Sequence, residues 1–341
     1  MRVLIIKTSS MGDVIHTLPA LTDAGRVFPS IRFDWIVEEN FAEIPRWHPL
    51  VDKVIPVAIR RWRKNIFSLQ TIRELRQLRN TLRHEKYDLI LDAQGLFKSA
   101  WLTLLAKGPR CGMNRRSARE SLAALFYQRT YPINWDHHAI KRVRSLFSQV
   151  LGIALPTTVP DYGIDRARFQ NELSVEKYLV FLHGTTWDTK HWPEEYWLQL
   201  ANKASEKGYA IKLPWGNSSE KIRAERIAAN CPSAEVLPRS GLVEIANILA
   251  GAKAIVAVDT GLGHLAAALN VPTISLYGPT DAELTGALGE SQVHLSAKFS
   301  CAPCFSRKCT YRDDQSLYTV LPPCFTTLPP SYVWTVLEPL L

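Results

Sequence analysis

Val3-Leu4-Ile5-Ile6-Lys7-Thr8-Ser9-Ser10-Met11-Gly12-Asp13-Val14-Ile15-His16 runs from an apolar, branched stretch through a turn of small residues into a helix start. The same order returns along the whole chain, most plainly at Ala254–Leu269. Apolar runs that end in Gly, Asp or Ser and alternate with helical stretches are the signature of parallel βαβ units. The spacing predicts strands over 3–7, 33–37, 53–57 and 88–92, with helices near 13–27, 67–85, 97–106, 118–128 and 138–151. A second series follows, with strands over 178–183, 209–214, 234–237, 254–258 and 273–277 and helices near 194–207, 218–229, 242–250 and 262–269. The fold class is therefore α/β, two doubly wound Rossmann-like domains over 1–152 and 178–330. A linker over 153–177 carries Pro156 and Pro160. A short helix within 331–341 is expected to pack back on the first domain.

Size and charge agree with two domains. The chain has 341 residues, 46% hydrophobic and 21% charged, enough for two buried cores. Residues 1–150 hold 25 basic and 13 acidic side chains, against 16 and 19 in 151–341. The first half thus suits an anionic partner. Nucleic acid is disfavoured, because no recognised binding module or stacking platform appears. No apolar run approaches the roughly 18 residues that span a bilayer, and Lys7 stops Val3–Ile6 short of a signal-peptide core. A cytoplasmic location is expected.

In open parallel sheets, ligands bind beyond the carboxyl ends of the strands, so the loops there carry the information. The first, Lys7–His16, lacks both the dinucleotide and the P-loop fingerprints. Its small Ser9, Ser10 and Gly12, with Met11 between them, allow a close backbone approach to an anion. Asp13 reads either as a helix-capping acid or as a general base. The second loop places Thr185, Thr186 and Lys190 ahead of the helix start Pro193-Glu194-Glu195, where they would hold a diphosphate or simply form a solvated turn. The third, Asp259-Thr260-Gly261-Leu262-Gly263-His264, would present first-turn amides to a phosphate, with His264 close by or hydrogen-bonded within its helix.

Basic residues gather at Arg60-Arg61-Trp62-Arg63-Lys64, read as an anion-binding loop, and at Arg115, Arg116 and Arg119. A further group, Arg73, Arg76, Arg79 and Arg83, lies opposite Leu75, Leu78 and Leu82 as the solvated stripe of an amphipathic helix. Cys301, Cys304, Cys309 and Cys324 follow C-x2-C-x4-C-x14-C, a spacing for structural Zn²⁺ or iron, or for a set of reduced thiols. Cys111 and Cys231 are isolated.

Six stretches taken together resemble the lipopolysaccharide heptosyltransferases of glycosyltransferase family 9: KTSSMGDVIHTLPALTD at 7–23, IPVAIRRWRK at 55–64, DAQGLFKSA at 92–100, KHWPEEYW at 190–197, KLPWG at 212–216 and VDTGLGHLAAAL at 258–269. The resemblance implies a GT-B architecture with the active site between its two domains, the first binding acceptor and the second donor. It implies inverting transfer of heptose from ADP-heptose to the inner Kdo of Kdo-lipid A, with no cofactor for the chemistry. Asp13 would then be the base. Ser9, Ser10, Met11, Gly12, Thr185, Thr186, Lys190, Glu220, Asp259, Thr260, Gly261 and His264 would serve the donor. Arg60, Arg61, Arg63, Lys64, Lys98 and Arg119 would meet acceptor carboxylates and phosphates. A peripheral position on the cytoplasmic face of the inner membrane follows from the lipid acceptor. The cysteine tail looks more like the branch that adds the second heptose, so a different acceptor is the alternative within the family. A non-catalytic anion-binding protein is the alternative outside it.

Overall fold

Each strand that the hydrophobic runs predict is present to within a residue or two. The structure is a computed structural model that describes residues 1–169, 177–311 and 320–341. The chain divides into two units, Met1–Ile164 and Asp165–Leu341. In the first, β1 (Arg2–Ile6), β2 (Arg32–Glu38), β3 (Val51–Val57), β4 (Leu89–Asp92), β5 (Arg110–Met113) and β6 (Arg129–Tyr131) form one parallel sheet in the order β3-β2-β1-β4-β5-β6. In the second, β7 (Tyr178–Leu182), β8 (Ala210–Leu213), β9 (Ala234–Val236), β10 (Ala254–Val258), β11 (Thr273–Tyr277) and β12 (Gln292–Ser296) repeat the plan as β12-β11-β10-β7-β8-β9. The winding reverses between β1 and β4 in one sheet and between β7 and β10 in the other. Loops leaving those adjacent strands diverge to opposite faces and leave a crevice at the carboxyl edge.

Several expectations are corrected. The helix expected over 13–27 is two helices, Met11–Ile15 and Leu18–Val27. Pro19 is the cause, since its ring excludes the carbonyl four residues back, at Ile15, while fitting the first turn of the next helix. Arg60–Trp62 lie on a one-turn helix, Ile59–Trp62, where a loop was expected. The stretch 118–128 forms only the tight turn Ser121–Phe126. Three strands escaped the reading: β5, β6 and β12. In β5 the obscuring residue is Gly112, where a Cβ would stand 2.4 Å from the Tyr127 ring. The glycine that weakens the strand pattern is thus the one that lets Tyr127 lie against the sheet.

The terminal helix, Pro330–Leu337, buries Val333, Trp334 and Leu337 in the core of the second unit, with Trp192, Trp197 and Phe181. It packs on the helix Glu194–Glu206 of that unit, where the sequence reading had sent it to the first. Its apolar face fits the gap beside the two tryptophans, and Trp192 Nε1 donates to Leu328 O at 3.0 Å just ahead of it.

The first unit is held behind its site by a buried ion pair. Arg144, on the helix Ala139–Leu151, donates from Nε to Asp23 Oδ2 (2.6 Å) and from Nη2 to Asp23 Oδ1 (3.0 Å), and reaches Thr158 O at 2.8 Å. Both side chains are buried. Arg144→Met strands the Asp23 carboxylate and is expected to cost about 3–5 kcal/mol. The check is the thermal midpoint, and a shift near zero would show that the pair carries no net stability.

Candidate active site

The crevice of the first sheet is lined by the ends of β1 and β4. Lys7, the residue after β1, is buried and donates from Nζ to Ala93 O across the gap (3.1 Å). Thr8 donates from both its N–H and its hydroxyl to Gln94 Oε1, each at 2.7 Å. These bonds join the two post-strand loops. Behind them Asp92 accepts from Tyr127 Oη (2.6 Å), Ser99 Oγ (2.8 Å) and the Gln94 N–H (2.8 Å), fixing the turn into the helix that carries Lys98.

Asp13 stands at the mouth of this crevice, and its two oxygens have different tasks. Oδ2 accepts from the Ser10 N–H (2.9 Å) and the Ser10 hydroxyl (2.8 Å), the capping arrangement. Oδ1 faces Lys7 Nζ at 3.7 Å, and the side chain remains 34% exposed. Capping and proton acceptance are therefore compatible in one carboxylate. Burial pushes the Asp13 carboxyl up, but the Lys7 ammonium, the Ser10 N–H, His16 and the Ser10 hydroxyl outweigh it and hold the group well below the usual carboxylate range. Asp13 is thus ionised throughout the neutral range. The Ser10 amide, expected to face a ligand anion, is engaged by Asp13 instead. Met11 and Gly12 open the five-residue helix that Asp13 caps.

Most of the predicted cations converge. Lys98 donates to Ser9 Oγ at 3.0 Å. Its pKa is lowered first by burial, is raised by Glu38, and is lowered again by the like charges of Arg60, Arg63 and Arg119. Arg61 does not join them: it pairs with Glu39 (3.3 Å) and Glu74 (3.0 Å), bracing Trp62, whose Nε1 also donates to Glu74 (2.6 Å). Lys64 is exposed at the end of the same segment. Three participants were not singled out from the sequence. Lys7 pairs with Asp13, Asp92 organises the second loop, and Arg142, stacked 4.3 Å over Trp135, acts on Asp13. Only Asp92 had a signal, as the first residue of DAQG at a strand end.

In the second unit the register of β7 against β10 sets Ala257 beside Leu182, so the loops from Gly184 and Asp259 leave side by side. Thr185 Oγ1 donates to Asp259 O at 3.2 Å, and Lys190 Nζ pairs with Asp259 Oδ2 at 2.6 Å. Thr280 Oγ1, from the loop after β11, donates to the same Oδ2 at 2.7 Å. Thr260 precedes the helix Gly261–Ala268, on which His264 is buried, and Thr186 is exposed. Glu220 accepts from the Gly216 N–H at 2.7 Å. It also lies so close to Gly184 that a Cβ there would stand 2.7 Å from its carboxyl carbon. The predicted donor residues of this unit therefore surround one switch point.

The cysteine segment meets this site. Cys301, Cys304 and Cys309 are exposed, while Cys324 is buried with its Sγ beside Gly278. Burial first, and then the three other thiols, push the Cys324 thiol up to about 12. Among the described residues no group of three or more His, Cys, Asp or Glu stands close enough to hold an ion. Of the two readings of the C-x2-C-x4-C-x14-C spacing, a metal site and a set of reduced thiols, the described residues show no formed ion site. What the segment does is dock on the Lys190 loop. Phe305 N–H donates to Pro279 O (2.7 Å), Thr189 Oγ1 donates to Ser306 O (2.6 Å), and Arg307 lies 5.2 Å from the Trp187 ring that Lys190 approaches to 4.5 Å. Arg307 was not predicted, and nothing local in the sequence marks it.

The family model "Glycosyltransferase family 9 (heptosyltransferase)" matches residues 75–313. The chain belongs to glycosyltransferase family 9. Along its full length this family 9 chain is 57% identical to lipopolysaccharide heptosyltransferase 1 of Pseudomonas aeruginosa, covering 98% of that protein. Its structure matches the E. coli heptosyltransferase WaaC with ADP at a TM-score of 0.88 and 46% identity, covering all of both chains. The same enzyme with ADP-2-deoxy-2-fluoro heptose matches at 0.84 over 99% of each chain. The α/β class and the two Rossmann-like sheets are those of the family.

Proposed function

We propose that the chain transfers heptose from ADP-heptose to the inner Kdo of Kdo-lipid A, inverting the anomeric centre, in assembly of the lipopolysaccharide inner core. The full-length 57% identity to the P. aeruginosa heptosyltransferase 1 is the observation that carries this reading. The geometry supplies the chemistry it requires. Asp13 Oδ1 takes the proton of the attacking hydroxyl while Oδ2 stays hydrogen-bonded to Ser10, so the base is held in place as it reacts. Lys190 offsets the charge that grows on the departing ADP, helped by the Thr185 hydroxyl and the first-turn amides at Thr260 and Gly261. Glu220 accepts from the ribose. Arg60, Arg63, Lys98 and Arg119 bind the Kdo carboxylate and lipid A phosphates, which explains the basic first half.

The first unit thus serves the acceptor and the second the donor. Among the described residues no helix is long and apolar enough to cross a membrane. The test is ADP release by the purified protein given ADP-heptose, with and without Kdo-lipid A. Release that depends on Kdo-lipid A is expected. Release only with an already heptosylated acceptor would move the assignment to the second heptose, and release with neither would leave an anion-binding protein.

A further inference from the structure

The first unit carries an apolar tip that the proposed reaction does not use. Between the one-turn helix Ile59–Trp62 and the helix Leu69–His84, Phe67 is 93% exposed, Leu69 85% and Ile66 57%. Burial of such side chains is favourable, and their clustering at one loop marks a contact surface. The charges around the tip identify what it contacts. Lys64 precedes it, Arg73 and Arg76 follow it, and all three are exposed. The nearby acid Glu74 is already taken by Arg61, Trp62 and Gln70. An apolar tip collared by exposed cations complements an anionic lipid surface, with acyl chains beneath phosphates.

Helix geometry sorts the same groups by depth. Leu69 and Ile72 lie one turn apart on the exposed face, and Arg76 and Arg83 continue it, while Leu78 and Leu82 are buried on the opposite face. At about 1.5 Å per residue, Arg76 lies about 10 Å along the axis from Leu69, and Arg83 about 20 Å. The polar layer of one leaflet is about 5–8 Å deep. With the helix axis along the bilayer normal, apolar side chains at the helix start reach acyl chains while the first arginines reach phosphates.

We infer that Ile66–Leu69 inserts into an anionic bilayer surface, with the flanking arginines on its headgroups. This rests on the proposed function only in that the acceptor is a lipid. The test is co-sedimentation of the full chain with phosphatidylcholine vesicles, with and without phosphatidylglycerol, for the wild type and for Phe67→Ser/Leu69→Ser. Wild-type binding should require phosphatidylglycerol and weaken as salt is raised. The double variant should bind about tenfold more weakly or worse. Its thermal midpoint, and its turnover of an acceptor stripped of acyl chains, should match the wild type. The inference is overturned if the wild type ignores the anionic vesicles or if the double variant binds them equally well. It is also overturned if turnover of the stripped acceptor falls in step with vesicle binding, which would make the tip part of the sugar site. Loss of a dimer without loss of vesicle binding would assign the tip to a second copy of the chain. Failure of heptosyl transfer in the wild type leaves the vesicle result intact, so the two readings fail separately.

Discussion

Asp13→Asn is expected to lower turnover about 10²- to 10⁴-fold, the usual contribution of a positioned general base. The amide is close in shape, and its oxygen can still accept from the Ser10 N–H, so the short helix remains capped. What disappears is the negative charge that takes the proton. The substitution also removes the partner of Lys7, whose ammonium burial already disfavours. A modest fall in thermal midpoint is therefore expected beside the large fall in rate. The two are separated by measuring ADP release at saturating substrates together with the melting curve. Retention of more than about a tenth of wild-type turnover would remove Asp13 from the role. The pH dependence has a definite sign. With its folded-state pKa held below the unfolded value, Asp13 contributes stability that is present above the ordinary carboxylate pKa and lost as pH falls through the folded value. Any loss of rate in mildly acid solution therefore belongs to another group.

Lys190→Ala should lower kcat about 10²- to 10³-fold, the scale for removing one group that stabilises charge in a transition state. The change in KM for ADP-heptose should be smaller, because the ammonium acts most strongly as the diphosphate gains charge. Asp259 then keeps only Thr280 on the oxygen that Lys190 contacts, so part of any effect is structural. Asp259→Asn provides the control. It loosens the same contact but leaves the ammonium, and should retain far more activity. Equal losses in the two variants would show that the pair holds the loop and that Lys190 has no separate part in the chemistry.

Local patterning carried most of the architecture. Strands such as Tyr178–Leu182 and Ala254–Val258 are apolar or aromatic throughout because both faces of a central parallel strand are covered, and this is visible without any partner. The short strands Arg129–Tyr131 and Gln292–Ser296 were not legible, because an edge strand needs few apolar residues and takes its conformation from the strand beside it. Arg110–Met113 was hidden by the glycine that receives Tyr127.

The site divides along the same line. Asp13, Lys190 and Asp259 lie on loops that follow a strand, where the α/β plan delivers ligands, so position in the sequence made them candidates, and the family motifs added Glu220 and decided their roles. Arg61 and Arg63 are two residues apart with the same side chain, and only the tertiary structure separates them: Glu39 and Glu74 pair with the first, while the second is exposed. Lys7, Arg142 and Arg307 likewise acquire their places from chain segments remote in sequence. The two-sheet α/β fold was thus determined by the sequence alone, since burial periodicity and turn chemistry are local properties. Which charges pair, and which are left for a ligand, was decided only by the tertiary structure, since Coulomb and hydrogen-bond energies depend on distances of a few ångströms that local pattern does not encode.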